Sequence, residues 1–196
     1  MILSHRTAVR IRVGMLRKAR GKRLGLFAFR RREEKKMIRP VCSDDAAALA
    51  GIYNYYIQET TISFESTPLS VADMRARIEQ VSAAYPFLVW EEAGQVCGYA
   101  YAHAWKERAA YAGTWEISIY LAPEYCGQGI GHRLLEQLVD ACRRAGCRVL
   151  IACITADNEA SCAFHQRHGF RQVSRFTQVG CKFGRLLDVV DYQRML

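Results

Sequence analysis

Between Trp115 and Ile154 the apolar period of the chain changes twice, and few folds can accommodate that. Trp115, Ile117, Ile119 and Leu121 alternate with Glu116, Ser118 and Tyr120, the period of two that belongs to a strand with two different faces. Pro123 ends the run, and the glycine-rich turn Cys126-Gly127-Gln128-Gly129-Ile130-Gly131 follows. Inside the stretch Gly127 to Gly146, the residues Ile130, Leu134, Leu138 and Cys142 then recur as one helical stripe. Cys147 to Ile154 is apolar almost throughout and reads as a buried strand. A two-faced strand, a turn, a one-faced helix and a second buried strand require a sheet with a helix laid against it.

The remaining chain fits that frame. Met37–Val41 reads as a first strand, and Ser43 as the cap of a helix whose first turn holds Asp44 and Asp45. Leu49, Ile52, Tyr53, Tyr56 and Ile57 continue it at helical spacing. Ser70-Val71-Ala72-Asp73 is a capping box for a second helix bearing Met74, Ile78 and Val81, stopped at Tyr85-Pro86. Phe87–Glu91 and Val96–Ala102, around Ala93-Gly94, form a hairpin pattern. A helix over Asn158–His168 closes at Gly169, and strand-like segments lie near Phe170–Phe176 and Leu187–Tyr192. The expected architecture is a single mixed α/β domain over 37–196 with no internal repeat and no linker.

Charge is informative only by its placement. The formal charge is +9, yet residues 1–36 carry 13 Lys and Arg against two acidic residues, leaving the rest with 15 basic and 17 acidic groups. The basicity belongs to an arm, so nucleic-acid binding is disfavoured for the body of the protein. That arm reads as a disordered basic extension or as sequence upstream of the true start at Met37. No apolar run is long enough to span a bilayer. The eight cysteines lack Cys-x-x-Cys or zinc spacing and several sit inside apolar patterns, so the expectation is a reduced, cytoplasmic, metal-free protein.

Several residues carry chemistry if the fold brings them to a site. Alternate glycines let backbone N–H groups converge on an anion, and the following helix N-terminus adds donors, which suits a pyrophosphate. Turn geometry explains the same glycines equally well. The loop is neither a Walker loop nor the Rossmann fingerprint. Glu116 is either a solvent-facing strand residue or a base. Asn158 and His165, seven apart, lie about 20° from each other on a helix. Asn158 is also a good N-cap, and a histidine such as His165 is commonly a surface residue. The loop Trp105–Tyr111 gathers Lys106, Arg108 and Tyr111, as a solvated loop or a pocket wall.

These motifs resemble the GNAT acyltransferase superfamily. The glycine loop is similar to its acetyl-CoA signature, with Cys126 at the position where that family prefers Arg or Gln. Tyr85-Pro86-Phe87-Leu88-Val89, Trp105-Lys106-Glu107-Arg108-Ala109-Ala110-Tyr111, Glu116-Ile117-Ser118-Ile119-Tyr120-Leu121 and Gly180-Cys181-Lys182-Phe183-Gly184 resemble the phosphinothricin and methionine sulfone acetyltransferase subfamily. The resemblance covers residues 38–196. It implies the GNAT fold: a mostly antiparallel central sheet flanked by helices, with one strand splayed from its neighbour at a bulge.

The resemblance also implies roles. Glu116 is the expected general base, and His165 handles a proton or the departing thiolate. Acetyl-CoA would be held by Ile119, Tyr120, Leu121, Gly127, Gln128, Gly129, Ile130, Gly131, His132 and Asn158. A small-molecule amine would be held by Phe64, Lys106, Arg108, Ala109, Ala110, Tyr111 and Lys182, with Arg108 suited to an anionic group. The implied reaction is direct acetyl transfer to an amino-acid analogue such as phosphinothricin, methionine sulfone or methionine sulfoximine. A ping-pong route is disfavoured because no cysteine sits in a basic dyad. A homodimer is implied, with Tyr53-Asn54-Tyr55-Tyr56 assigned equally to an interface or to the core. The alternatives are a protein N-terminal or polyamine acetyltransferase, a nucleic-acid-binding protein acting through the arm, and a GNAT fold without turnover.

Overall fold

The computed structural model describes residues 36–196. The basic arm therefore lies outside the described residues, apart from Lys36, which opens the first strand. The elements are β1 (Lys36–Pro40), α1 (Ala46–Glu59), α2 (Val71–Ser82), β2 (Phe87–Glu92), β3 (Gln95–Ala104), β4 (Thr114–Leu121), α3 (Ile130–Arg144), β5 (Val149–Thr155), α4 (Glu159–Arg167), β6 (Arg171–Lys182) and β7 (Arg185–Met195). They form one seven-stranded sheet in the order β1-β2-β3-β4-β5-β7-β6. Every neighbouring pair is antiparallel except β4 and β5.

Period-two alternation sends side chains into two cores. Val89 and Tyr99 face α1 and α2, where Leu49, Ile57, Met74 and Ile78 are almost fully buried. Trp90, Ala100, Trp115 and Ile117 face α3, whose stripe Ile130, Leu134, Leu138 and Cys142 is buried with Leu135 and Val139. Tyr53 and Tyr56 belong to the first core and only Tyr55 of that tyrosine run is exposed, so the run is mainly core. The Ala93-Gly94 turn has positive φ at both residues, 54° and 83°. That pattern twists with the strands of a two-residue hairpin.

Three local expectations need correction. Ser43 does not cap α1; its hydroxyl reaches Glu79, and the carboxylate of Asp45 accepts the Cys42 N–H at 2.8 Å. The last two strands extend well beyond Phe176 and Tyr192, because Phe183 and Gly184, both at positive φ, turn a long hairpin. No register shift falls within the β3–β4 ladder, so β4 leaves its other neighbour without a bulge.

The capping box expected at Ser70 is present: the Ser70 hydroxyl accepts the Asp73 N–H at 3.1 Å, and Asp73 accepts the Ser70 N–H at 3.0 Å. A larger polar tie joins β1, α1 and β2. Arg39 donates to both oxygens of Asp45 at 2.7 and 2.8 Å and to Glu91 at 2.8 Å. Burial alone would raise the proton affinity of Asp45, but Arg39 and Cys42 hold it below the usual carboxylate range. Asp45→Asn is expected to cost about 2 kcal/mol of stability at neutral pH, the scale of a hydrogen bond to a charged group. Because the folded carboxyl is the stronger acid, this advantage exists above the unfolded value of about 3.9 and fades as pH falls below it. Urea midpoints for the two proteins should therefore differ at pH 7 and converge in acid.

Candidate active site

The parallel ladder between β4 and β5 contains three pairs, Thr114–Val149, Trp115–Leu150 and Glu116–Ile151. Beyond Glu116 the strands part. A cleft of about 690 Å³ opens there, lined by Ile117–Leu121 of β4 and Ala152–Thr155 of β5. Its far end is built by Gly127, Gly129, Gly131 and His132, and its side by Asn158, Phe164, His165 and His168. Gly127 and Gly129 have φ near +76°, a conformation in which a Cβ is strained. Gly129 is the N-cap residue of α3, with no side-chain cap over the first-turn N–H groups. Backbone donors at a helix start, beside strand edges freed from their ladder, suit a phosphorylated, extended ligand.

Of the residues expected to hold a cofactor, Ile119, Tyr120, Leu121, Gly127, Gly129, Gly131, His132 and Asn158 line this cleft. Gln128 and Ile130 do not. Gln128 folds back to donate to the Glu124 carbonyl at 2.9 Å, and Ile130 is the first core residue of α3. Asn158 caps α4 through its side-chain oxygen, which accepts the Ser161 N–H at 3.2 Å, so the cap leaves its NH₂ group unused. Cys126 lines the cleft as an exposed residue.

A second cavity, of about 480 Å³, holds Glu116. Around it stand Tyr53, Phe64, Glu65, Tyr101, His103 and Val189. Ile62, Ser118, Tyr120, Cys153, Ile154 and Thr155 line both spaces, so the two meet at the gap between β4 and β5. The Glu116 side chain is 27% exposed, and His103 Nε2 lies 3.9 Å from its carboxylate. Burial raises the proton affinity of Glu116; His103 opposes that and Asp191 adds to it. The Cys153 thiol is pushed up to about 12 by burial, with Glu116 and Asp191 beside it, so it stays protonated at neutral pH.

His165 is buried rather than a surface residue. Its Nδ1 lies 2.9 Å from the Ser161 carbonyl, so Nδ1 carries the hydrogen and Nε2 is the basic nitrogen. Phe164 and Phe170 pack edge-on to the ring. Burial lowers its proton affinity; the Ser161 carbonyl opposes this and His168 adds to it, which favours a neutral imidazole. His165 lines the cleft and Glu116 the second cavity, so the structure does not bring these two into one space.

The expected acceptor residues divide. Phe64 lines the second cavity, its ring laid against Gly180 where any Cβ would collide with it. Lys106, Arg108, Ala109, Ala110 and Tyr111 do not line it; residues 106–110 are exposed, and Lys106 sits over the Trp105 ring at 4.0 Å. Lys182 does not line it either. Its buried ammonium donates to the carbonyls of Ser63 and Tyr56, which pins the segment carrying Phe64. The carboxylates lining the cavity are thus Glu65 and Glu116, with no Lys or Arg in its wall, and Glu65 is paired with Arg77 of α2 at 2.9 Å. Sequence reasoning missed Glu65, Tyr101, His103, Cys153 and Thr155. For Tyr101 and His103 the signal was present, since the period of two along β3 places them on one face with Tyr99.

Comparison with known proteins adds to this geometry. The model of the acetyltransferase (GNAT) family matches residues 49–170. A phosphinothricin N-acetyltransferase of Alcaligenes faecalis is 42% identical over 161 residues, 81% of this chain and 82% of the relative. An L-methionine sulfoximine/L-methionine sulfone acetyltransferase of Salmonella typhimurium is 37% identical, over 78% of this chain and 90% of the relative. A GNAT superfamily phosphinothricin acetyltransferase from Sinorhizobium meliloti, solved with acetyl-CoA, superposes with a TM-score of 0.79 at 37% identity, over 82% of this chain and 88% of that one. The chain belongs to the GNAT family of acetyltransferases.

Proposed function

We propose that this acetyltransferase moves an acetyl group from acetyl-CoA to the free amine of a small amino-acid analogue, of the phosphinothricin, methionine sulfone or methionine sulfoximine type, within one ternary complex. The observation that carries the reading is the meeting of the two cavities at the β4–β5 gap, with Glu116 on the acceptor side. Acetyl-CoA supplies the acetyl group as a thioester. The glycine loop and α3 N-terminus offer donors to its diphosphate, and the β5-facing edge of Ile117–Leu121 offers backbone groups to its extended arm. On the other side, Glu116 accepts a proton from the ammonium of the amine so that its nitrogen becomes nucleophilic. Phe64 covers the aliphatic part of the acceptor. His165, neutral with a lone pair on Nε2, accepts the second proton that the nitrogen sheds as it bonds to the acetyl carbon and passes it to the departing sulfur, which leaves as the CoA thiol.

A second reading has its own support. Glu65 is neutralised by Arg77, which leaves Glu116 as the carboxylate facing a cavity whose wall holds no Lys or Arg, and that lining also suits a polyamine. A panel of amines read by release of free CoA thiol separates the two. Turnover of methionine sulfone or phosphinothricin supports the first reading, and turnover of polyamines alone replaces it. We also propose a homodimer, supported by the apolar strip Val173, Phe176, Val179, Phe183 and Leu186 on the β6–β7 hairpin. Light scattering at micromolar concentration should return twice the chain mass, and a monomer mass refutes the pairing.

Glu116→Gln should lower kcat by about 10²–10⁴-fold at neutral pH, the range of a positioned proton acceptor, with little change in acetyl-CoA affinity. Because burial raises the proton affinity of Glu116, wild-type kcat/KM should fall on the acid side at a pH above the ordinary glutamate value. Full activity of the variant across pH would remove Glu116 from the chemistry.

A further inference from the structure

The ladder between β3 and β4 sets His103 directly opposite Glu116. Residues so paired on antiparallel strands carry their side chains on one face, so the backbone itself brings the imidazole to the carboxylate. The ring is held from two sides. Along β3 the rings of Tyr99, Tyr101 and His103 follow one another at period two, with successive centroids 6.2 and 5.8 Å apart. His103 Nδ1 lies 2.9 Å from the Ala104 carbonyl. A carbonyl can only accept, so Nδ1 carries the hydrogen, and in the neutral ring Nε2 presents a lone pair. That nitrogen is 3.9 Å from the Glu116 carboxylate, and both residues line the acceptor cavity.

Two acceptors do not bond each other, but one donor with several hydrogens can bond both. A nitrogen about 2.9 Å from each would see them about 85° apart, near enough to the tetrahedral angle for two N–H groups to reach them with a modest bend. The ammonium of a primary amine has three N–H groups. The acetylated product keeps one and carries no charge, so it satisfies only one of the two acceptors. A carboxylate beside a neutral acceptor thus holds the substrate amine better than the product. A neutral imidazole also leaves Glu116 to the ammonium, where a lysine or arginine in its place would pair with the carboxylate. The other charges nearby do not take over this role: Glu65 is engaged by Arg77 at 2.9 Å, and Asp191 adds its negative charge from beyond Glu116.

We propose that His103 is a second ligand of the acceptor amine, its Nε2 accepting one N–H of the ammonium while Glu116 accepts another and takes that proton. Glu116 answers the charge of the amine, and His103 fixes the position of its nitrogen. The proposal rests on the reading of this cavity as the amine site.

The test is steady-state kinetics of the full chain at saturating acetyl-CoA and about pH 8, on the basic side of the usual histidine range. The amine is methionine sulfone, or whichever amine of the panel turns over fastest. His103→Phe keeps a ring against Tyr101 and removes the acceptor. It should raise KM for the amine about tenfold, the scale of one hydrogen bond to a charged group at a partly exposed site, while kcat changes by less than about threefold. His103→Gln, which puts an amide oxygen near the reach of Nε2, should recover most of that loss. Acetyl-CoA affinity, read by calorimetry, should be the same in all three proteins. An unchanged KM in His103→Phe overturns the proposal, and so does His103→Gln as impaired as His103→Phe. A fall in kcat at constant KM also overturns it, because His103 would then act on the chemistry of Glu116 and not on the amine. No turnover of any amine by wild type, with acetyl-CoA bound, removes the amine-site reading and this proposal with it. If His103→Phe does not fold, His103→Leu, which also lacks an acceptor, carries the comparison at a side chain that is 35% exposed.

Discussion

Past the Glu116–Ile151 pair, β4 and β5 share no ladder, and their facing backbone groups must find other partners. An unpaired buried amide or carbonyl costs about 1–3 kcal/mol, so strands part inside a sheet only where the rest of the molecule prevents closure. Here β4 is held from the opposite side. Its ladder with β3 runs unbroken from Trp115 to Leu121, and the Tyr56 hydroxyl donates to the Leu121 carbonyl at 2.6 Å. Tyr53, Tyr56 and Tyr99 all pack against Tyr120, at centroid distances of 5.0, 5.2 and 5.4 Å. On the far side β5 is tied to β7 through seven pairs. Each strand is anchored away from the gap, and the gap becomes the place where two cavities join.

The acceptor side depends on a different kind of tie. The segment that carries Phe64 has no regular structure, yet it is fixed at three points. Thr155 donates its hydroxyl to the Thr61 carbonyl, Lys182 donates to Ser63 and Tyr56, and the Ser63 hydroxyl bonds Tyr53. Gly180 then gives the Phe64 ring room against β6. Lys182 therefore fixes the shape of the cavity around Glu116, since its ammonium is spent on backbone carbonyls.

Most of the fold was legible because its signals are local. Alternation at Trp115–Leu121, the stripe from Ile130 to Cys142 and the Ser70–Asp73 box each depend on residues a few positions apart. The glycine-lined end of the cleft was legible for the same reason, since the glycines and the helix start are contiguous in sequence. What escaped were pairings across the chain. Arg39 with Asp45 and Glu91, Lys182 with Ser63, and Glu116 with His103 join residues whose sequence neighbours say nothing of each other. The basic residues of the Trp105–Tyr111 loop are substrate ligands by resemblance only, while in space Lys106 is engaged by Trp105 and Tyr111. By helical pattern alone His165 reads as a surface residue, because nothing local shows that Phe164 and Phe170 enclose it, and its role came from the resemblance.

Acetyl-CoA lying along the parted edge of β4, as proposed, must cover backbone amides there. Hydrogen–deuterium exchange across residues 117–121, with and without saturating acetyl-CoA, reads that cover. Exchange should slow in this stretch and in Gly127–Gly131 when the ligand is bound, while β2 is unaffected. Unchanged exchange in 117–121, with binding verified by calorimetry on the same sample, would place the cofactor elsewhere.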